Sequence, residues 1–274
     1  MKLWILSDLH TEGQQVDWPN EPPEADIMVI AGDLCRADQL MDTLHDISHR
    51  FCMPIVMVPG NHEYWSGQVP RDLASDRLLL ADINEAAAEW RYLCTILDNG
   101  SVVIDGVRFI GATLWTDYRD ALQDEADFAW RLQTAFHLNP DHLKIYRSDR
   151  QLITPSDLLS LNKESIRIIR KLLAEPFDGK TVVLSHHLPH PAATPAAYAG
   201  SNVNWLYCNS SDAFEDVMMS DHAPALWVCG HTHQATDIAV GNTRILCNPH
   251  GFHSEAEASN GFQWDLVIDL EDQC

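Results

Sequence analysis

Positive charge is scarce in this sequence. Lys and Arg number 18 against 40 Asp and Glu, a formal net charge of −22 over 274 residues. Affinity for nucleic acid depends mainly on Lys and Arg neutralising phosphates, so long DNA or RNA is not an expected partner. Acidity of this degree keeps a protein soluble, and a local cationic site can still capture a small phosphate ester. Long apolar runs are missing too: no stretch approaches the roughly 20 residues that a membrane span requires. The 7 cysteines include no Cys-x-x-Cys pair, are odd in number, and in places sit inside apolar runs such as Leu226-Trp227-Val228-Cys229. That pattern argues for a reducing compartment and against a disulfide framework. The opening Met1 to Leu6 is too short for a secretory core and runs straight into polar Ser7 and Asp8. Together these absences predict a cytoplasmic location.

The apolar fraction of 46% and charged fraction of 21% are those of an ordinary globular chain. The length suits one large domain at least as well as two, and no internal repeat or linker interrupts it, so residues 1–274 are expected to form a single domain. Short apolar runs at Lys2 to Leu6, Asp26 to Ala31 and Pro54 to Val58 read as buried strands, with a helix from Ala37 to Arg50 between the second and third. A helix is predicted for Arg71 to Leu93, and a hairpin for Ser101 to Ile110 around Asp105-Gly106. Two more helices are expected near Asp120 to Phe136 and from Pro155 to Ala174, the latter capped by Ser156 and Asp157. Strands follow at Thr181 to Leu184, Ala225 to Val228, Asp237 to Val240, Thr243 to Cys247 and Asp265 to Ile268, with a surface loop at Pro189 to Ala199. Buried strands alternating with helices indicate an α/β architecture.

Five of these strands end in metal-competent side chains: Asp8 and His10, then Asp33, then Asn61 and His62, then His186, then His231 and His233. In α/β sheets the ligand crevice lies beyond the carboxyl ends of the strands, so loops far apart in sequence can converge there. The i, i+2 spacing of Asp8 with His10, and of His231 with His233, points each pair one way if the backbone stays extended. Carboxylate, imidazole and amide oxygen donors suit Mn, Fe, Zn or Co, and the lack of thiolates disfavours a structural zinc site. The set is too large for one catalytic metal. It fits two divalent ions roughly 3.5–4 Å apart if one carboxylate bridges, the clamp used to hydrolyse phosphoesters. Each piece alone is a weak signal; their order, each after an apolar strand, is specific.

With Asp8-Leu9-His10, Gly32-Asp33, Gly60-Asn61-His62-Glu63, His186 and Gly230-His231-Thr232-His233, the sequence resembles the calcineurin-like metallophosphoesterases. The resemblance implies a four-layer αββα sandwich, two mixed sheets packed face to face with helices outside. It implies Asp8, His10, Asp33 and His233 on a first metal and Asp33, Asn61, His186 and His231 on a second, with Asp33 bridging. It also implies that His62 is not a ligand but protonates the leaving alkoxide, which suits a side chain titrating near neutrality. Next to His186, His187 reads as a residue that packs behind the metal ligands or in the core, with substrate contact the alternative.

Other residues are less decisive. His45 and His49 have i, i+4 spacing but read as a solvated helix face. His250 and His253 follow a strand and are candidates for the pocket rim, and Tyr64, Trp65, Trp115, Asp117 and Tyr118 for its walls or for core. The phosphoprotein-phosphatase branch resembles Gly-Asn-His-Glu followed closely by a phosphate-gripping Arg; here Tyr64-Trp65-Ser66 stands in that place. Without a guanidinium fork, unless Arg36 or Arg119 folds in, a small phosphodiester is the expected substrate, with some monoesterase activity. The alternatives are a phosphomonoesterase, a hydrolase of another bond with the same metals, and a non-catalytic interaction scaffold.

Overall fold

The computed structural model describes residues 1–66, 71–119, 125–252 and 259–272. In one sheet, β1 (Lys2–Leu6), β2 (Ile27–Ala31), β3 (Ile55–Val58) and β4 (Cys94–Ile96) run parallel, and β11 (Val267–Asp269) closes the β1 edge antiparallel. The second sheet has β6 (Val107–Ala112), β7 (Thr181–Ser185), β8 (Leu226–Cys229) and β10 (Thr243–Cys247) parallel at its centre. Its antiparallel edges are β5 (Gly100–Ile104) and β9 (Thr236–Val240).

Side chains alternate across a strand, and the continuous apolar runs use both faces. Leu3, Ile5, Val29, Val56 and Val58 of the first sheet pack against Phe109, Val182, Leu184, Val228 and Leu246 of the second. Trp4, Leu6, Met28, Ile30 and Met57 point the other way, onto Leu40, Leu44 and Ile47 of α1 (Ala37–Phe51) and Leu80 and Ile83 of α2 (Leu73–Ala87). On the far side, Ile110, Val183, Trp227 and Ile245 pack on Ile169 and Leu173 of α4 (Pro155–Ala174), against which α3 (Glu125–Leu138) rests. The result is a four-layer αββα sandwich. Burial of a Val, Leu or Ile side chain contributes about 1.5–3 kcal/mol, and three such layers hold both sheets rigid under the loops that leave them.

Local signals explain the element ends. Asp105 and Gly106, at φ 47° and 79°, make the left-handed two-residue turn of the β5–β6 hairpin. The N-cap of helix α4 is Thr154, two positions before the expected Ser156, and Asp157 completes it: Thr154 accepts from the Asp157 amide while Asp157 accepts from the Thr154 amide, with Pro155 at the first helical position. The helix expected to reach Leu93 stops at Ala87, because the Leu93 carbonyl accepts from Ile55 N and Cys94–Ile96 pairs with β3 as a short edge strand. The Pro189 to Ala199 stretch forms two short 3-10 turns, with Ala193 buried. The first residues of the helix expected at Asp120 lie outside the described residues, as does Cys274. The six described cysteines are unbridged, and no described helix is long and apolar enough to cross a membrane.

Candidate binuclear metal centre

All the chemistry-bearing loops leave the carboxyl ends of parallel strands: β1, β2 and β3 in one sheet, β7 and β8 in the other. The sheets are laced together at this edge. Ser7 N donates to Asn248 O (3.2 Å) and His250 N donates to Ser7 O (2.9 Å), so the exits of β1 and β10 are joined. Loops from opposite ends of the chain therefore open on one cleft.

The backbone there is not extended, as the i, i+2 spacing suggested. Asp8, His10, Asp33, His231 and His233 all sit at left-handed φ, at 54°, 47°, 54°, 71° and 52°. Such positions cost of order 1–3 kcal/mol each for a residue with a side chain, and persist only where the surroundings impose them. Preceding glycines let the chains close in. A Cβ on Gly60 would overlap the Asp33 carboxylate, and one on Gly230 would stand 2.5 Å from Asp8 Oδ2.

The donor atoms face one another in two groups around Asp33. His10 Nε2 is 3.0 Å from His233 Nε2, whose other neighbour, Asp8 Oδ1, lies 3.5 Å away. His186 Nε2 is 3.0 Å from Asn61 Oδ1 and 3.2 Å from His231 Nδ1. Asp33 Oδ2 stands between the groups, 3.8 Å from His10 Nε2 and 3.3 Å from His186 Nε2. Three sets of potential ligand atoms arise: Asp8 with His10 and His233, Asp33 with His186 and His231, and His10 with Asp33 and His62. Each of the first two holds three of the four residues of an expected grouping, without Asp33 in one and Asn61 in the other; the third places His62 within the same reach.

Outer contacts fix the tautomers. His186 Nδ1 donates to Ala31 O (2.9 Å), so Nε2 is the nitrogen turned toward the cluster, with a lone pair to offer once its proton is displaced. Asn61 Nδ2 donates to Asp141 Oδ1 (2.8 Å), so Oδ1 is the atom presented to His186. The Asp8 carboxylate accepts from His231 N at 2.9 and 3.1 Å, and Asp33 Oδ1 accepts from His62 N at 2.9 Å. Glu63 ties the loops after β2 and β3 together, accepting from the amides of Gly60 (2.5 Å), Asp33 (3.0 Å), Leu34 (2.8 Å) and Cys35 (3.2 Å).

The protein alone balances this cluster awkwardly. Burial opposes a charged His186, yet Asp33 and Asp8 overcome it and push the imidazole up to about 10. Against burial, His186 and His62 hold the Asp33 carboxyl well below its ordinary range. Burial, with His187 and His186 beside it, drives His231 well below the usual histidine value. Among the described residues, protons on imidazole are the countercharge that faces the Asp8 and Asp33 carboxylates. Cations between those donors would supply that charge instead, and lone pairs meeting at 3.0–3.2 Å are the arrangement such ions require. The residues fit the metals.

The cleft over the cluster measures about 390 Å³, with Asp33, Asn61, His62, His231 and His233 at its base. Its walls are Trp65, Leu138, Tyr198, Leu206, Tyr207 and Phe252; among the described residues no Lys or Arg lines it. Trp65 stacks on His62 (3.6 Å between centroids) and Phe252 on His10 (4.5 Å). Burial pulls the His62 pKa down, and Asp33 with Glu12 more than reverses this.

Several candidates lie elsewhere. His187 is buried against Trp115 and His231, and burial with neighbouring His186 pushes it down to about 3, a neutral packing residue. Trp115, Tyr64 and Tyr118 are core, and Asp117 anchors Ser210. His250 packs on Phe262 and Trp264, while His253 lies outside the described residues. Arg36 pairs with Asp38 and Arg119 covers Phe128, so neither reaches the cleft. His45 and His49 stack on each other on α1, by Trp90 and Tyr92. Sequence reasoning missed Glu12 and Asp141. Glu12 continues the i, i+2 series from His10 and was findable; Asp141, in the Asn139-Pro140-Asp141 turn, carries no local signal.

Residues 1–235 match the calcineurin-like phosphoesterase family. The chain belongs to that family. Calcineurin-like phosphoesterases depend on paired metal ions and hydrolyse phosphoric esters, and this chain is a metallophosphoesterase. It is 23% identical over 285 aligned positions to Uncharacterized protein L509 of Acanthamoeba polyphaga mimivirus, covering 98% of this chain and 96% of that one. A 71-residue segment, 23% of this chain and 21% of the relative, is 35% identical to [Acyl-carrier-protein] phosphodiesterase PptH of Mycobacterium tuberculosis. The crystal structure of that phosphopantetheinyl hydrolase superposes with a TM-score of 0.70 at 19% identity, covering 96% of this chain and 94% of the other, a likeness of fold.

Proposed function

We propose that residues 1–274 act as one catalytic unit, a binuclear phosphodiesterase for small phosphate esters in a reducing, cytoplasmic setting. The observation that carries this reading is the pair of donor groups either side of Asp33 Oδ2, at 3.8 Å from His10 and 3.3 Å from His186. Asp8, His10, Asp33 and His233 would hold one ion and Asp33, Asn61, His186 and His231 the other, Mn, Fe, Zn or Co suiting these donors. When bound, the ions supply a low-pKa hydroxide and a positive seat for the phosphate.

The chain's own residues do the rest. His62 faces the cleft with Nδ1 held by Glu12 Oε1 at 2.7 Å, which orients Nε2 for donation to the departing oxygen. Trp65 stacked on its ring fixes the plane. Among the described residues, no Lys or Arg lines the cleft to neutralise a second phosphate charge. That favours the monoanion of a diester over the dianion of a monoester. The curated name of the Mycobacterium relative, a phosphodiesterase, points the same way.

Purified protein with added Mn should turn over bis-p-nitrophenyl phosphate faster than p-nitrophenyl phosphate. The reverse order would make it a phosphomonoesterase, and no metal-dependent turnover of either would leave the scaffold reading. His62→Ala should lower turnover by about 10²–10⁴-fold and leave two ions per chain; loss of ions would make His62 a ligand.

A further inference from the structure

A second chamber of about 280 Å³ opens beside the catalytic cleft, and the two share Tyr198, Tyr207 and Thr232 as walls. Leu188, Pro195 and Val203 give the chamber its apolar lining, and among the described residues no charged side chain contributes to it. The tyrosines are only partly covered, and the Tyr207 ring lies 5.3 Å from that of His231, so the chamber begins at the metal cluster. Thr232 sits between two ligand candidates and is 6% exposed, yet its buried hydroxyl has no hydrogen-bond partner. His62 and Trp65 line the cleft but not the chamber.

We propose that this chamber is the specificity pocket for the ester group that stays on phosphorus, and that it selects an uncharged, extended alkyl or aryl alcohol. The inference rests on the phosphodiesterase reading above. The leaving group lies on the His62 and Trp65 side, where its oxygen can take a proton. The retained arm then extends past Tyr207 and Thr232 into the chamber. Burying the arm's methylenes among Leu188, Pro195 and Val203 lowers the free energy of the bound substrate in proportion to the apolar area covered. The reaction breaks the phosphorus–oxygen bond to the leaving alcohol, forms one to oxygen from water, and returns that water's proton to the departing oxygen through His62. A phosphomonoester has no second arm and leaves the chamber empty.

Two diesters with the same leaving group isolate the effect: methyl p-nitrophenyl phosphate and hexyl p-nitrophenyl phosphate, assayed with Mn and read as released nitrophenolate. The hexyl ester should have at least a tenfold higher kcat/KM. Ser201 and Val203 line the chamber but not the cleft, so Ser201→Phe and Val203→Trp should each reduce the hexyl-to-methyl ratio toward one. Two variants guard against a misfolded one. Equal use of both esters by the wild type, or a ratio unmoved in either folded variant, would overturn the chamber alone. Turnover of neither ester would overturn the phosphodiesterase reading and this proposal with it.

Discussion

Glu12 Oε1 lies 2.7 Å from His62 Nδ1 and 3.4 Å from His10 Nδ1, so one buried carboxylate braces both the candidate proton donor and a candidate ligand. Burial opposes its charge, and its two histidine partners still hold it down to about 2. Outer-shell carboxylates of this kind are worth about 10–100-fold in activity or metal affinity. Glu12→Gln should therefore cut kcat by about that factor, with both ions retained by elemental analysis. An unchanged kcat would show that His62 does not need this brace.

In the proposed arrangement Asp33 serves both ion-binding groups. Asp33→Ala is expected to abolish metal-dependent turnover and to lower metal content below that of Asp8→Ala, which touches one group only. Equal metal loss in the two variants would argue against a bridge.

Chelation should also destabilise the fold. Ions that bind only the native state add RT ln(1 + [L]/Kd), about 2.7 kcal/mol at a hundredfold excess over Kd. A thermal melt in EDTA should fall by several degrees and recover when Mn is restored in excess; identical melts would separate stability from metal binding.

Gly60 has no room for a methyl group, because a Cβ there would overlap the Asp33 carboxylate and crowd its amide. Overpacking a rigid site costs about 1–3 kcal/mol, and here it falls on the shared carboxylate. Gly60→Ala should lower both the melting temperature and the number of bound ions, whereas Gly100→Ala, where a Cβ meets nothing, should keep its ions.

A pH effect is expected far from the metals. Burial raises the Asp76 carboxyl to about 6 despite its 2.7 Å pair with Arg71. The folded value exceeds the unfolded one, so its contribution is fully present below about pH 4 and is lost as the pH climbs through about 6. The loss is on the order of 2–3 kcal/mol. Urea midpoints from pH 4 to 7 should therefore show a downward component in the wild type that is missing from Asp76→Asn; parallel curves would place the carboxyl at its ordinary value.

Much of this was legible in the sequence because strand interiors here are buried on both faces. Continuous runs such as Ile27–Ala31 and Thr181–Ser185 leave few other readings, and the ligand candidates stand at the next polar residue. The left-handed turns were not legible, since they arise where chain segments meet rather than from local preference. Nor was Cys94–Ile96, too short to announce itself and made a strand only by its partner β3. Asp141 acts on Asn61 across 80 positions, and Phe252 and Tyr207 wall a cleft assembled from loops with no shared pattern, whereas Trp65, beside His62, was a wall candidate from the sequence and lines the cleft. Side chains that hold a site in place are set by three-dimensional neighbours, whereas its donors are set by chemistry.

The lacing of Ser7 to Asn248 and His250 reaches past the signature residues. All the donors lie at or before His233, and the family match ends at residue 235, yet the exit of β1 is gripped by the strand that ends at Cys247. The portion of the chain that positions Asp8 and His10 is therefore longer than the portion that carries the family signature. An excised fragment ending with the last motif would keep every metal-seeking atom and lose the clasp that sets Asp8 and His10 against the far sheet.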